Sequence, residues 1–316
     1  MTAQEIIDGV RAGTCRHIGR AISLAESGSA DGRQVLAALH PATGRALRVG
    51  LTGPPGVGKS SLVSALVGLL RAAGQTVAVV SVDPSSPFTR GAVLGDRIRL
   101  AEHFVDPGVF IRSMATRGHL GGLSEATADA VLILDSAGYD VILVETVGAG
   151  QNEIEIQALT ETVVLALMPG SGDSIQAIKA GLMEIPDVIV VNKADRPGAD
   201  LLRAEIESAL TLVPGGPWKP PIVETVAIEG RGTRELWETV TAHRAFLDTD
   251  GRLEARRRDG LARQLRQVAL DRVARAIEAK VPPEALAQIV ERVMRHEIDP
   301  ATAADQLTGP LRRESS

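Results

Sequence analysis

The stretch GPPGVGKS, residues 53–60, constrains this chain more than any other part of the sequence. It matches G-x-x-x-x-G-K-[ST] in full, follows the apolar run Leu47 to Leu51, and precedes a helical pattern that should end near Gly74. Strand, glycine-rich loop and helix in this order predict backbone N–H groups that surround phosphate oxygens at a helix N-terminus. An accidental glycine-rich turn is the alternative, and it does not explain why all three elements occur in order.

The residue types within this loop assign a role to each position. The glycines allow the backbone to fold around the α- and β-phosphates, Lys59 supplies a positive charge to the β- and γ-phosphate oxygens, and the Ser60 hydroxyl is a ligand for Mg²⁺. The residues expected to contact the nucleotide here are Gly53, Pro54, Pro55, Gly56, Val57, Gly58, Lys59, Ser60 and Ser61.

The remaining apolar runs predict the fold around this loop. Strand-like runs occur at 77–82, 109–112, 141–144, 163–167, 188–191 and 222–226, separated mostly by segments of helical length. Such alternation indicates an α/β fold of the P-loop NTPase type, with a mainly parallel sheet covered by helices. We expect an N-terminal helical extension over 1–44, the P-loop domain over 45–247, and a C-terminal helical region over 248–316.

The C-terminal region has a long helical pattern with an apolar stripe and a basic cluster, Arg256, Arg257 and Arg258. Such a helix can pack on its own domain or extend as an arm to a second subunit. The sequence pattern leaves both arrangements open.

A second motif, Asn192-Lys193-Ala194-Asp195, follows the apolar run at 188–191, at the predicted carboxyl end of a strand. Open α/β sheets bind ligands at that end. The Asp195 carboxylate can accept hydrogen bonds from both N1–H and the 2-amino group of guanine, while Asn192 and the Lys193 stem frame the base. Adenine lacks this pair of donors and would leave a desolvated carboxylate unpaired, so the motif favours GTP over ATP.

The stretch ETVGAGQ, residues 145–151, lies between these two motifs. We expect Glu145 to reach the Mg²⁺ shell and the Gly148 N–H to contact the γ-phosphate, as in a nucleotide-dependent switch. The alternative is a glycine-rich turn whose acid is only solvated. Gln151 is two residues too far along to be assigned the attacking water, so slow unaided hydrolysis is expected.

Two further acids follow the second predicted strand. Asp83 and Asp96 are thirteen residues apart across a loop that contains proline and glycine, and both are candidates for the metal and hydrolytic site. Asp83 can equally be an ordinary turn residue, and Asp96 can be a helix N-cap.

Composition excludes several classes of protein. A single cysteine, Cys15, rules out an intramolecular disulfide framework, and a formal charge of -5 without a long basic patch argues against a nucleic-acid partner. The first twenty residues lack a continuous apolar segment, and no span of eighteen apolar residues occurs. We therefore expect a cytoplasmic protein without a membrane crossing.

Four segments, in their order along the chain, resemble the methylmalonyl-CoA mutase-associated GTPases, the MeaB/ArgK-like family. They are the P-loop, VDPSSPFTRGAVLGDRIR, VETVGAGQNE and VNKAD. The resemblance covers roughly residues 1 to 300. It implies that Asp83, Asp96 and Glu145 surround Mg²⁺ and the hydrolytic site, with Lys59 as phosphate contact and Ser60 as metal contact. It also matches Ser171 to Lys179 with a third switch, in which Gln176 and Lys179 couple nucleotide state to the partner.

The resemblance further implies that Ala227, within Thr225-Val226-Ala227, contacts guanine O6, although Val226 departs from the more usual Ser-Ala pattern of this loop. Members of the family bind an adenosylcobalamin-dependent acyl-CoA mutase, gate its cofactor loading, protect or rescue it, and form homodimers through C-terminal helices. No Asp-x-His-x-x-Gly sequence is present, so cobalamin is expected on the partner. The alternatives are a metal-delivery GTPase and an ATP-dependent kinase.

Overall fold

The structure, a computed structural model, describes residues 1–83, 100–115, 125–146, 152–174, 185–213 and 216–312. Within these residues seven parallel strands form one sheet in the order β3-β2-β4-β1-β5-β6-β7. The strands are β1 Leu47–Thr52, β2 Val77–Asp83, β3 Val109–Ala115, β4 Val141–Thr146, β5 Thr162–Leu167, β6 Val188–Asn192 and β7 Ile222–Thr225. The α/β fold predicted from the alternating pattern is therefore confirmed.

Helices cover the sheet and continue beyond it. They are α1 Ala3–Arg11, α2 Cys15–Glu26, α3 Ala30–Leu39, α4 Lys59–Ala72, α5 Glu125–Ser136, α6 Asn152–Leu159, α7 Ala199–Leu210, α8 Thr233–Leu247, α9 Arg252–Lys280, α10 Pro283–Met294 and α11 Pro300–Arg312. Short 3-10 turns lie at His40–Ala42, Ala101–His103 and Ala227–Glu229.

Strand residues are buried on both sides of the sheet because successive side chains point to opposite faces. In β2, Val77 and Val79 pack with α4 and α8, whereas Ala78 and Val80 pack with the N-terminal helices and α5. A third cluster joins β5 and β6 to α7. Burial on both faces explains why the strands are nearly continuous apolar runs rather than alternating patterns.

The three N-terminal helices pack against one another and against α5. Thr2 begins α1 with a capping box, since its hydroxyl accepts from the Glu5 N–H and the Glu5 carboxylate accepts from the Thr2 N–H. The buried Asp135 carboxylate of α5 accepts hydrogen bonds from the N–H groups of Gly44, Arg45 and Ala46. This carboxylate fixes the segment that leads into β1 and the loop beyond it.

The chain divides into two compact units, Met1–Gly260 and Leu261–Ser316. The first holds the sheet and both helical layers. In the second, α10 packs on α11, and Arg292 donates to Gln306 at 3.0 Å. This second unit exposes large apolar side chains at Leu261, Leu265, Leu270, Val273, Leu286, Val290 and Met294. Within the described residues, no helix combines the length and the apolar character that a membrane crossing requires.

Candidate functional site

The phosphate-binding loop follows β1 directly and leads into α4. Gly53 has φ 137°, and a Cβ on it would lie 2.1 Å from the Ala166 carbonyl oxygen, so only glycine fits. Gly58, with φ 95°, is the N-cap of α4, and a Cβ there would lie 2.5 Å from the Asn192 amide nitrogen. The two glycines thus bring the loop against β5 and against the second motif.

Lys59 lies in the first turn of α4, and its ammonium bridges the loop. Its Nζ donates to the carbonyl oxygens of Gly53, at 2.7 Å, and Pro54, at 3.0 Å, and the residue is buried. A positive charge is therefore held where the helix N-terminus already favours anions. This is the chemistry that a phosphate-binding lysine needs.

Ser60 and Glu145 are brought together by the pairing of β1 with β4. Leu51 pairs with Glu145 in register, so the switch acid lies beside the strand that enters the loop. The Ser60 hydroxyl donates to Glu145 Oε1 at 2.7 Å, and both residues are buried. The residue that the sequence assigns to Mg²⁺ and the acid that it assigns to the metal shell are thus in direct contact.

A buried pair of hydroxyls accompanies this contact and was not anticipated from the sequence. Thr146 donates to Thr52 at 3.0 Å, and the two residues end β4 and β1. A hydroxyl at the end of each neighbouring strand is the only sequence signal for this pair. The bond joins the strand ends from which the phosphate-binding loop and the switch segment begin.

Asn192 connects three segments of the site. Its side-chain Nδ2 donates to the Val57 carbonyl at 2.8 Å, while its Oδ1 accepts from the Thr225 hydroxyl, at 3.0 Å, and from the Ala227 N–H, at 3.2 Å. Asn192 is buried, so these bonds form away from bulk water. The guanine motif, the phosphate loop and the loop after β7 are fixed relative to one another by one side chain.

Lys193 adopts a left-handed backbone conformation, φ 56°, and its Nζ donates to the Gly56 carbonyl at 2.7 Å. Burial lowers the pKa of Lys193, the charge of Arg196 lowers it further, and Asp195 opposes the shift. The Asp195 side chain is exposed at the same edge of the sheet. The lysine stem therefore runs beside the loop while the carboxylate remains accessible to a base.

The other predicted site residues divide into two groups. Asp83 ends β2, next to β4, because Val82 pairs with Thr146. Asp96, Gly148, Gln176 and Lys179 lie outside the described residues. The structure thus brings together Lys59, Ser60, Glu145, Asn192 and Ala227, with the backbone of Asp83 at the same edge.

The donor set of Ser60 and Glu145 is compatible with Mg²⁺, because it offers a hydroxyl and a carboxylate oxygen. Magnesium in nucleotide enzymes is usually held by one or two carboxylates or hydroxyls together with substrate phosphates, not by an all-protein cage. Within the described part of the chain no group of three or more histidine, cysteine, aspartate or glutamate side chains could hold a metal. The oxygen donors of Ser60 and Glu145 fit a metal ion that is bound together with nucleotide phosphates.

Residues 18–281 match the family profile described as methylmalonyl Co-A mutase-associated GTPase MeaB. The chain belongs to this GTPase family. The match spans most of the sheet domain and all of the site described above. As a MeaB-family GTPase, the chain is assigned guanine-nucleotide binding and GTP hydrolysis as its general activity.

Relatives from an archaeon, a bacterium and an animal support this membership. A provisionally named GTPase of Pyrococcus abyssi is 47% identical over 307 residues, covering 96% of this chain and 95% of its own. GTPase ArgK of Escherichia coli is 38% identical over 275 residues, covering 84% of this chain and 83% of its own. The mouse protein named methylmalonic aciduria type A homolog, mitochondrial, is 38% identical over 215 residues, covering 66% of this chain and 52% of its own.

A solved structure has the same fold along nearly the whole chain. The crystal structure titled LAO/AO transport system kinase superimposes with a TM-score of 0.75 at 30% identity, covering 98% of this chain and 97% of that one. The resemblance inferred from the switch and nucleotide motifs is therefore confirmed at the level of family and fold.

Proposed function

We propose that this MeaB-family GTPase is the GTP-dependent chaperone of an adenosylcobalamin-dependent acyl-CoA mutase, with methylmalonyl-CoA mutase as the first candidate. The family description, which names a mutase-associated GTPase over residues 18–281, carries the choice of partner. The mouse relative, named for methylmalonic aciduria, supports the same choice. Cobalamin would reside on the mutase, which this chain would load, protect or reactivate.

The nucleotide chemistry follows from the contacts at the carboxyl edge of the sheet. The loop N–H groups and Lys59 would bind the phosphates, and Asp195 would accept the two guanine donors that adenine lacks. Lys59 would stabilise charge that develops on the β- and γ-phosphate oxygens. Gly148 and Ala227 would contribute backbone N–H groups, the first to the γ-phosphate and the second to the base.

Ser60 and Glu145 would hold Mg²⁺, together with Asp83 and Asp96. When bound, this ion neutralises charge on the phosphates. The 2.7 Å hydrogen bond between Ser60 and Glu145 supports the assignment, because the two oxygens already lie side by side next to the loop. Glu145 would then sense the metal-bound nucleotide and begin the switch segment that follows β4.

Hydrolysis without the partner should be slow, because no residue of the chain is assigned to orient the attacking water. We expect the mutase to raise the rate, with Gln176 and Lys179 coupling nucleotide state to the partner. The second unit, with its exposed apolar side chains, would join two copies of the chain into a homodimer. We place this assembly in the cytoplasm.

The deciding experiment measures GTP hydrolysis by the purified full chain with and without a purified adenosylcobalamin-dependent mutase. Stimulation by the mutase and co-elution of the two proteins under GTP or GDP are expected. If the mutase neither binds nor changes the rate in any nucleotide state, the chaperone role is wrong, although the GTPase assignment stands.

The base assignment has its own test in the variant Asp195→Asn. Replacing the carboxylate with an amide should move preference from guanine toward xanthine nucleotides, because the amide can donate to the 2-oxo group. Nucleotide titrations of both proteins measure this shift, and Asp200→Asn, at an exposed position of α7, is the matched control. Unchanged GTP affinity in Asp195→Asn would contradict the role of this residue.

A kinase is the second candidate, because the solved structure with the same fold carries a kinase title. This candidate predicts that ATP, not GTP, raises the melting temperature in the presence of Mg²⁺. The motif Asn192 to Asp195, with its exposed carboxylate, supports the opposite outcome.

A further inference from the structure

Two buried carboxylates lie at the amino edge of the sheet, opposite the nucleotide site. Glu161 directly precedes β5 and is 1% exposed, and Asp187 directly precedes β6 and is 8% exposed. A buried carboxylate is costly unless it is paired and hydrogen-bonded. The partners of these two acids therefore determine what is attached to the edge.

Three arginines from three different elements surround Glu161. Arg48 of β1 and Arg257 of α9 donate to its Oε1, at 3.1 and 2.7 Å, and Arg244 of α8 donates to its Oε2 at 2.6 Å. Arg48 lies four residues before the end of the strand that leads into the phosphate-binding loop. One carboxylate thus joins β1, β5, α8 and α9.

Asp187 makes the equivalent connection for β6. Arg256 donates to both oxygens, at 3.0 and 2.5 Å, and the Val163 N–H of β5 donates to Oδ2 at 2.8 Å. His243 Nε2 of α8 lies 3.4 Å from Oδ1. The strand that follows Asp187 is only five residues long and ends at Asn192.

The first nine residues of α9, Arg252 to Gly260, we call the α9 root. Two consecutive arginines hold this root to the carboxylates that directly precede β5 and β6. A third contact lies at Gly260, where a Cβ would be 2.9 Å from the Ala158 carbonyl of α6. Helix α6 begins six residues after β4 ends, downstream of Glu145. The third arginine of the basic run, Arg258, is exposed.

These contacts attach the α9 root to Asp187, directly before the strand that ends at Asn192, and to α6, which follows the switch segment. Through Glu161 the root is also connected to Arg48 of β1, the strand that leads into the phosphate loop. We propose that Arg256 and Arg257 are positioning residues that couple the packing of the α9 root against the sheet to guanine-nucleotide binding. This coupling is reciprocal by thermodynamic necessity. Nucleotide binding therefore stabilises the packing of the α9 root, and a change that destabilises this packing lowers nucleotide affinity. This inference rests on the proposed nucleotide site.

Hydrogen exchange of residues 252–260 in the full chain tests the link. GDP with Mg²⁺ should slow exchange in this segment by about fivefold or more, the lower end of common coupling energies. The double variant Arg256→Gln, Arg257→Gln should lose this nucleotide effect while still binding GDP with reduced affinity. The double lysine variant should recover part of it, and Arg258→Gln should behave as the unchanged chain.

GDP binding is measured in the same samples, so the two proposals can fail separately. If no guanine nucleotide binds, the proposed site is wrong. If GDP binds but exchange of 252–260 does not change, or if the double glutamine variant keeps the full effect, the link is wrong and the arginines only anchor the helix.

A fluorescence measurement tests the same link without the double variant, in case that variant does not fold. Trp218 donates through Nε1 to the Asp187 carbonyl at 2.8 Å, and its ring centroid lies 4.8 Å from that of His243. Since the chain has two tryptophans, the variant Trp237→Phe leaves Trp218 as the only reporter beside this cluster. Saturating GDP should change its emission, and an unchanged spectrum with GDP bound would overturn the link.

Discussion

The two edges of the central sheet are held together in different ways. At the carboxyl edge, short polar contacts join segments that each follow a strand, and most use backbone carbonyls, hydroxyls or one amide. At the amino edge, two carboxylates pair with arginines from helices 69 to 96 positions away in sequence, and a histidine lies beside one of them. The first edge is suited to receive a charged ligand, whereas the second has its charges matched internally.

This difference distinguishes an edge that receives the ligand from an edge that holds the strands leading to it. A binding edge needs donors that can exchange protein partners for ligand oxygens. Lys59 and Asn192 accordingly donate to neutral backbone carbonyl oxygens. A scaffold edge needs permanent neutralisation, because an unpaired buried charge destabilises the fold strongly. Three tests address the contrast, beginning with the largest expected effect.

The first changes the amino edge by Glu161→Gln. Removing the charge takes the Glu161 countercharge from Arg48 and Arg257 and leaves Arg244 with only the exposed Asp248. It should lower the free energy of unfolding by about 3 kcal/mol, reduced from the fully buried case because the arginines are partly exposed. Thermal unfolding should show a drop in melting temperature of about 6–10 °C. Glu254→Gln, an exposed glutamate on α9, is the control and should stay within about 0.5 kcal/mol. Equal melting temperatures for Glu161→Gln and Glu254→Gln would show that Glu161 does not stabilise the fold through its arginine partners.

The second changes the carboxyl edge by Lys59→Ala. Loss of the ammonium should lower the hydrolysis rate by about 10²–10³-fold, the usual cost of removing one charge-stabilising donor. The fold should be affected less than in Glu161→Gln, because the loop partners of Lys59 are the neutral carbonyl oxygens of Gly53 and Pro54. Steady-state hydrolysis and thermal unfolding measure the two effects, with the exposed Lys219→Ala as control. A variant that unfolds but keeps its specific activity would reverse the contrast.

The third uses pH. Burial, followed by the charge of Arg256, lowers the pKa of His243 to about 3, below its ordinary value near 6.5. Because the unfolded chain binds this proton first, the contribution of neutral His243 is complete above about pH 6.5 and is lost as pH falls from there toward 3. From pH 7 to pH 5 the loss should be about 2 kcal/mol.

Urea unfolding at both pH values measures this loss in the unchanged chain and in His243→Asn, which should lack it. Asp187 and Arg256 face the imidazole, and Asp187, whose pKa is raised first of all by burial, titrates in the opposite sense to the histidine. His296→Asn, at an exposed position, is the control. An identical pH dependence in the His243 variant would show that other groups dominate acid unfolding.

The motifs of the nucleotide edge could be predicted from the sequence, because each is contiguous and follows a strand. Residues 53–60 and 192–195 carry their geometry locally: glycines with positive φ, a helix N-terminus and a side chain at a strand end. The order of the strands in the sheet, by contrast, depends on crossovers, and no local pattern predicts that β1 lies between β4 and β5. That order is what brings Glu145 to Ser60.

The amino edge could not be predicted in the same way. Arg256, Arg257 and Arg258 form one basic run in the sequence, yet two of them pair with buried carboxylates and the third faces solvent. The α9 root contacts the domain through these two pairs, while the role of the C-terminal region as a dimerisation arm stays a prediction.

By itself, the sequence determined the class of fold, the GTPase family and the contiguous motifs, because hydrophobic period and glycine-dependent turns act over a few residues. Tertiary structure alone decided which arginines pair with which carboxylates and that Thr52, Thr146 and Asn192 bind the segments of the site together. Such contacts join residues tens of positions apart, and their energy depends on burial that exists only after the sheet and its helices have assembled.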